Sequence, residues 1–132
     1  QLTDFFKKPE WMDECIKYLI DHPGVDSCFI GCKEHKNYWR KDGDKYIKLT
    51  NPVFGPRQKR EPIFREDTGL GAATRVSVVK GGRRLGDNTV LLEKTYPFFD
   101  IHTDFDFAIL EFVAKTYPNI VKDMYKDFER PK

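Results

Sequence analysis

From Pro9 to Ile20 the apolar residues Trp11, Met12, Cys15, Ile16, Leu19 and Ile20 recur at three- and four-residue intervals, which places them on one face of a helix. Pro9 suits the first helical position, and His22-Pro23-Gly24 ends the run. The segment that follows, residues 25–32, is short, apolar and glycine-interrupted, and reads as a buried strand. A helix leading directly into a buried strand is the repeating unit of an α/β sheet. This pair constrains the fold class more than any other stretch of the chain.

Downstream, Asp42-Gly43-Asp44 between aromatic-containing runs predicts a hairpin over residues 39–49. Residues 51–62 contain three prolines and one glycine and read as a long loop, a kind that is usually functional or disordered in small domains. Residues 69–79 read as a strand leading into a short helical or extended element, broken by Gly81-Gly82, and residues 90–93 as a short strand. A second strong helix is expected over residues 103–117, with Thr103 and Asp106 resembling a capping box, and a terminal amphipathic helix over residues 119–128. No repeat, low-complexity tract or linker interrupts the chain, so residues 1–132 are expected to form one domain around one core.

Hydrophobic residues at 39 % and aromatics at 14 % are too abundant for a disordered chain. The 23 Lys and Arg nearly balance the 21 Asp and Glu, so any anion site is local rather than global. That balance, and the lack of an RRM or OB signature, argues against a nucleic-acid binder built on Tyr38, Trp39 and Arg40. Cys15, Cys28 and Cys32 lack metal-ligand spacing and read as reduced, buried thiols of a cytoplasmic protein. No apolar run approaches a membrane span and no signal-peptide pattern is present, so no membrane partner is expected. The chain opens on Gln1 and runs straight into structured-looking sequence, and so reads as a fragment of a longer protein.

Two stretches carry chemistry. Residues 55–62 (Gly-Pro-Arg-Gln-Lys-Arg-Glu-Pro), followed by Phe64-Arg65, gather guanidinium groups on irregular backbone. Arginine's planar fork pairs bidentately with phosphate or carboxylate, and flanking prolines reduce the entropy lost on binding. A solvated basic loop is the plainer account. Gly81-Gly82-Arg83-Arg84 lacks the Gly-Lys-Ser/Thr ending of a phosphate-binding loop and reads as a turn with exposed arginines. The other stretch holds Asp100 and His102, two apart in an extended segment, whose side chains project to one side at the start of a helix. They suit a magnesium ion that keeps several waters; equally, Asp100 assists the helix N-terminus while His102 packs. Asp104 and Asp106 fall in the first helical turn, where negative charge is stabilising without any further role. His22 and His35 lack the neighbours of a nucleophilic site.

Taken in order, these residues resemble the acylneuraminate cytidylyltransferases, the CMP-sialic acid synthetases. The segment Gln1-Leu2-Thr3-Asp4-Phe5-Phe6-Lys7-Lys8-Pro9 is similar to the family's Gln-Pro-Thr-Ser-Pro-Leu-Arg-Thr, with Gln1, Thr3 and basic Lys7 in register. Glu34-His35, Pro56-Arg57-Gln58 and Phe64-Arg65 resemble further family signatures, as does the glycine-led stretch 69–73. Asp100-Ile101-His102-Thr103-Asp104-Phe105-Asp106 is similar to the closing Asp-Ile-Asp-Thr-x-x-Asp motif. The likeness runs over nearly the whole chain but only to the C-terminal portion of the family's usual length. His102 stands where a second aspartate is usual, Thr68 where asparagine is common, and the Pro and Ser of Thr-Ser-Pro are missing. The glycine- and lysine-rich loop that cradles CTP does not occur here.

The resemblance implies an α/β fold, part of a three-layer Rossmann-like nucleotidyltransferase sheet, with the hairpin as an insertion used for dimerisation. It implies a cytoplasmic, homodimeric enzyme that joins a nonulosonic or related 2-keto sugar acid to CTP, giving a CMP-sugar and pyrophosphate. Mg2+ is expected on Asp100 and His102. Asp100, Arg57 and Arg65 are the expected catalytic residues, and Gln1, Lys7, Gln58, Gly69 and His102 the expected substrate contacts. The alternative is a non-catalytic module that binds a sugar acid or nucleotide, or that serves dimerisation, without the CTP loop.

Overall fold

Trp11, Cys15 and Leu19 recur every four residues along α1 (Pro9–Asp21) and bury against β1 (Ser27–Glu34), the strand that follows. With Cys28 and Ile30 of β1 and with Leu70 they form the core of the chain, whose residues 3–50, 55–96 and 99–124 are described by a computed structural model. Each fully buried large apolar side chain contributes roughly 2 kcal/mol. Met12, Ile16 and Ile20, expected in the same stripe, are 44, 46 and 70 % exposed. One row of the helix meets the strand; the neighbouring row, turned about 100° further, lies on the flank and reaches solvent.

The sheet is built around β1. Strand β6 (Thr89–Glu93) runs parallel to it on one edge, from Ser27↔Thr89 to Gly31↔Glu93. On the other edge two strands follow in turn, both antiparallel: β4 (Ile63–Glu66) opposite residues 31–34 and β5 (Ala72–Thr74) opposite residues 27–29. Between them residues 67–71 leave the ladder and are pinned across Ile30. The Ile30 carbonyl accepts from the Asp67 N–H at 3.0 Å, and its N–H donates to the Gly71 carbonyl at 2.9 Å. The chain is therefore mixed α/β, with a sheet both parallel and antiparallel. The strand expected within residues 69–79 is confined to β5, because the 67–71 excursion takes the glycine-led start. β4 is absent from the sequence reading: four residues alternating half-buried and exposed give little signal beside Pro62 and the charges around it.

The hairpin forms as expected from β2 (Trp39–Asp42) and β3 (Lys45–Lys48), closed at Asp42↔Lys45 with Gly43 at φ +60°. It pairs with neither edge of the main sheet. A short helix α2 (Val76–Lys80) follows β5 and ends at Gly81, with Gly82 at φ +76° and Arg83 paired to Asp87 in an exposed turn. Helices α3 (Asp104–Thr116) and α4 (Pro118–Met124) close the described part; the rest of the terminal helix expected to residue 128 lies outside it. Among the described residues no helix is long and apolar enough to cross a membrane.

Arg75 fastens α1 to the sheet. Its guanidinium donates to the carbonyls of Leu19, His22 and Val25 at 2.6, 3.1 and 2.7 Å, while its N–H donates to the Asp26 carbonyl at 2.9 Å. The Leu19 carbonyl needs such a donor, because the residue four positions on is Pro23, which has no N–H. The cysteines are free thiols, with Cys15 and Cys28 buried as expected but Cys32 only half-buried; burial beside Cys28 pushes the Cys15 thiol up to about 12, so it stays protonated.

Gly31 sits where the two edges close most tightly on β1. A Cβ there would lie 2.3 Å from Leu91 Cδ1 and 2.8 Å from the Arg65 carbonyl oxygen, whereas one on Gly24 would meet nothing within 4 Å. Gly31→Ala is expected to destabilise the fold by about 1–3 kcal/mol in equilibrium urea unfolding, with Gly24→Ala as the control near zero.

Candidate functional site

The start of α3 is fixed by a complete capping box. Thr103 Oγ1 accepts from the Asp106 N–H at 3.2 Å, and Asp106 Oδ2 accepts from the N–H groups of Thr103 and His102 at 2.8 and 3.0 Å. The hydrogen bond from Thr103, then that from the His102 backbone, holds the Asp106 carboxyl below its ordinary value. Asp106 is thereby accounted for as a cap, as the sequence suggested. With residues 102–106 locked, residue 100 is held just ahead of the helix.

Asp100 is anchored from the other side as well. It forms an isolated antiparallel bridge with Asp4, and the Ile101 N–H donates to the Thr3 carbonyl at 3.1 Å. Two carboxylates thus stand opposite each other on short extended segments 96 positions apart (100 − 4). Asp4 is 6 % exposed. Burial, then the neighbouring Asp100 charge, raises the Asp4 pKa; Asp67 adds to this and Lys7 opposes it. Asp100 Oδ2 meets His102 Nε2 at 2.7 Å, so the two residues do share one side, while the His102 ring is largely exposed. Asp100 Oδ1 has no accessible surface and no hydrogen-bond partner among the described residues. Beside it Ile101, His102, Thr103, Asp104 and Phe107 line an open depression of about 570 Å³.

The 67–71 excursion delivers a further buried carboxylate. Asp67, 6 % exposed, accepts from Arg65 Nε at 2.8 Å and Nη2 at 3.0 Å, and from the Tyr96 hydroxyl. Arg65 Nη1 also pairs with Glu34, which in turn accepts from the Tyr38 hydroxyl. The hydrogen bond to Asp67 is the largest influence on Arg65 and raises its pKa; burial, then the Asp67 bond, raises that of Tyr96. The Asp67 charge is felt at Asp4, and the Asp4–Asp100 bridge joins segment 3–7 to the start of α3.

Of the residues expected from sequence, Asp100, His102, Arg65 and Lys7 belong to this region. Gly69 lies buried in the turn that Leu70 N–H to Asp67 carbonyl closes. Arg57 and Gln58 stand exposed on a 3-10 turn, Arg57–Lys59, and no described bond joins either to Asp100. Gln1 lies outside the described residues. The loop is instead tied down by Arg60, whose guanidinium donates to the carbonyls of Gly55 and His35, both at 3.2 Å. Sequence reasoning missed Asp4, Asp67 and Tyr96. The i, i+2 spacing of Arg65 and Asp67 was a usable signal for one of them; no local pattern points to Asp4.

A buried carboxylate oxygen without a donor, facing a second buried carboxylate, fits a hard cation with oxygen ligands. No group of three His, Cys, Asp or Glu among the described residues is arranged to hold a metal by itself. A cation here would complete its shell with water or substrate oxygens, as Mg2+ commonly does. No protein-family model matches the chain, and no curated protein matches it.

Two outcomes follow from this geometry. Asp67→Ala strands the partly buried Arg65 and the Tyr96 hydroxyl, and urea unfolding should show a loss of about 2–3 kcal/mol, the low side because Arg65 keeps Glu34. Thr103→Ala should cost about 1 kcal/mol through the lost cap. Because the Asp106 pKa is lowered on folding, its contribution is full above the ordinary carboxylate range and fades as pH falls through the lowered value. Asp106→Asn should therefore flatten the loss of stability between about pH 4 and pH 2 seen by circular dichroism.

Proposed function

We propose that the chain supplies the sugar-acid side of a cytidylyltransferase site, within the three-layer sheet that its resemblance implies. The supporting observation is the convergence just described. Two of the segments that carry the resemblance, far apart in sequence, meet at the Asp4–Asp100 bridge just ahead of a capped helix start. In the reaction the anomeric hydroxyl of a 2-keto sugar acid attacks the α-phosphate of CTP. The new sugar O–P bond forms as the bond to the β-phosphate breaks, pyrophosphate leaves with the electron pair, and the hydroxyl proton passes to solvent.

Asp100 would hold Mg2+, with His102 as its neighbour or second ligand. When bound, the ion screens the α-phosphate and acidifies the attacking hydroxyl. Lys7 and Arg57 supply charge for anionic groups, and Gln1 and Gln58 neutral hydrogen bonds. Arg65, already matched by Asp67 and Glu34, acts as a positioning residue that stiffens the floor of the site. Fixed charges in such a place cost no reorganisation when the transition state forms. The test is pyrophosphate release by the complete protein from CTP with a panel of 2-keto sugar acids. Asp100→Asn should lower kcat on the order of a hundredfold or more while leaving the far-ultraviolet circular dichroism unchanged. Near-normal turnover in that variant removes Asp100 from the site.

The hairpin favours a homodimer in the same reading. Both its faces are exposed, with Trp39, Tyr46, Ile47 and Leu49 between 41 and 65 % accessible, and an isolated two-stranded hairpin is marginal in water. Covering it with its symmetry mate removes that apolar surface from water. Sedimentation velocity should show a dimer that Trp39→Asp converts to monomer; a monomeric parent protein rejects the pairing.

A further inference from the structure

We infer that the hairpin of β2 and β3 binds single-stranded nucleic acid on the face that carries Trp39, Lys41, Tyr46 and Lys48. Residues paired across an antiparallel ladder share a face, and the face alternates along each strand. The register Trp39↔Lys48 and Lys41↔Tyr46 therefore sets two aromatic rings and two ammonium groups in a checkerboard, with no carboxylate among them. Arg40, Asp42, Lys45 and Ile47 fall on the opposite face, so Trp39 and Arg40, adjacent in sequence, do not act together. The checkerboard is open: Trp39 and Tyr46 are 57 and 65 % exposed, and Lys41 is exposed beside them. Lys48 Nζ lies 5.9 Å from the centre of the Trp39 ring.

Rings and charges on this face call for the same ligand. Exposed indole and phenol rings stack on bases, and lysines beside them pair with the phosphates that join those bases. Trp39 and Tyr46 are diagonal neighbours, about 7–8 Å apart at the backbone of a regular ladder, near enough for bases of one strand. Charge is complementary as well. Residues 36–48 hold five Lys and Arg against two Asp, an excess of three on a chain whose total is +2. The near-neutral total that speaks against a polyanion partner thus averages a basic hairpin with a slightly acidic remainder. A duplex, whose bases are already stacked on one another, leaves both rings without partners. Stacking and phosphate pairing read neither base sequence nor sugar, so the binding is sequence-tolerant. Strand binding here is independent of the cytidylyltransferase reading. A second copy paired through the hairpin would cover the same Trp39, so strand and second copy compete for this face.

The complete protein is titrated into a short labelled oligothymidylate, and binding is followed by fluorescence anisotropy over a range of salt concentrations. Trp39→Ala and Tyr46→Ala are each expected to weaken binding roughly five- to a hundredfold. Lys41→Gln combined with Lys48→Gln should make the logarithmic salt slope shallower by about 1.4, since two phosphate contacts are lost. The same charge removed from the opposite face, Arg40→Gln with Lys45→Gln, should leave slope and affinity close to the parent's. Should the alanine variants lose the hairpin, the two glutamine pairs decide, because both keep Trp39 and Tyr46. In sedimentation velocity, saturating oligonucleotide should convert any hairpin-paired dimer to complexes of one chain. No binding at low salt overturns the inference. So does undiminished binding in both folded alanine variants, equal loss in the two glutamine pairs, or equal affinity for a duplex of the same length, since each leaves only attraction between opposite charges. A dimer that persists while the oligonucleotide stays free identifies a second copy as the occupant and overturns it too.

Discussion

Strand β1 has both of its edges occupied and one face covered by α1, and the remaining architecture follows from that saturation. A central strand of eight residues carries β6 on one side and, on the other, an edge shared in succession by β4 and β5. Between β4 and β5 five residues, 67–71, cross the single position Ile30, so that stretch of chain is extruded from the edge as an excursion. The excursion is held at both ends by the backbone of Ile30, a residue with no exposed surface. Asp67 is buried because the ladder fixes where the excursion starts. The charged cluster around it is a product of sheet registry.

Burying carboxylates is costly unless donors surround them, and this chain meets that cost in two ways. Around Asp67 the donors are internal: a bidentate guanidinium and a phenol. Around Asp100 they are incomplete among the described residues, with one oxygen on a histidine and the other out of reach of solvent without a donor. The first arrangement is self-sufficient, whereas the second leaves an acceptor unmet, and Asp4 feels the charge of both carboxylates.

Much of this organisation was legible in the sequence. Helical spacing gave α1, the Asp-Gly-Asp turn gave the hairpin, and Thr103 with Asp106 gave the cap. These features are local, and local chemistry decides them. Of the site, Asp100 and His102 were readable because they are near neighbours in an extended stretch. Strand β4 was not, since a four-residue alternating run takes its identity from the strand it pairs with. Nor was the place of Asp4, because only the folded chain brings it opposite Asp100, 96 positions away.

The three carbonyls gripped by Arg75 have a mechanical meaning. They fasten α1 at its C-terminal end, whereas its N-terminal end meets the sheet through ring contact between Trp11 and Tyr96. Between those ends Cys15 and Leu19 lie in the core, so a helix about 20 Å long is held over its whole length and any change in its tilt must be absorbed by core packing.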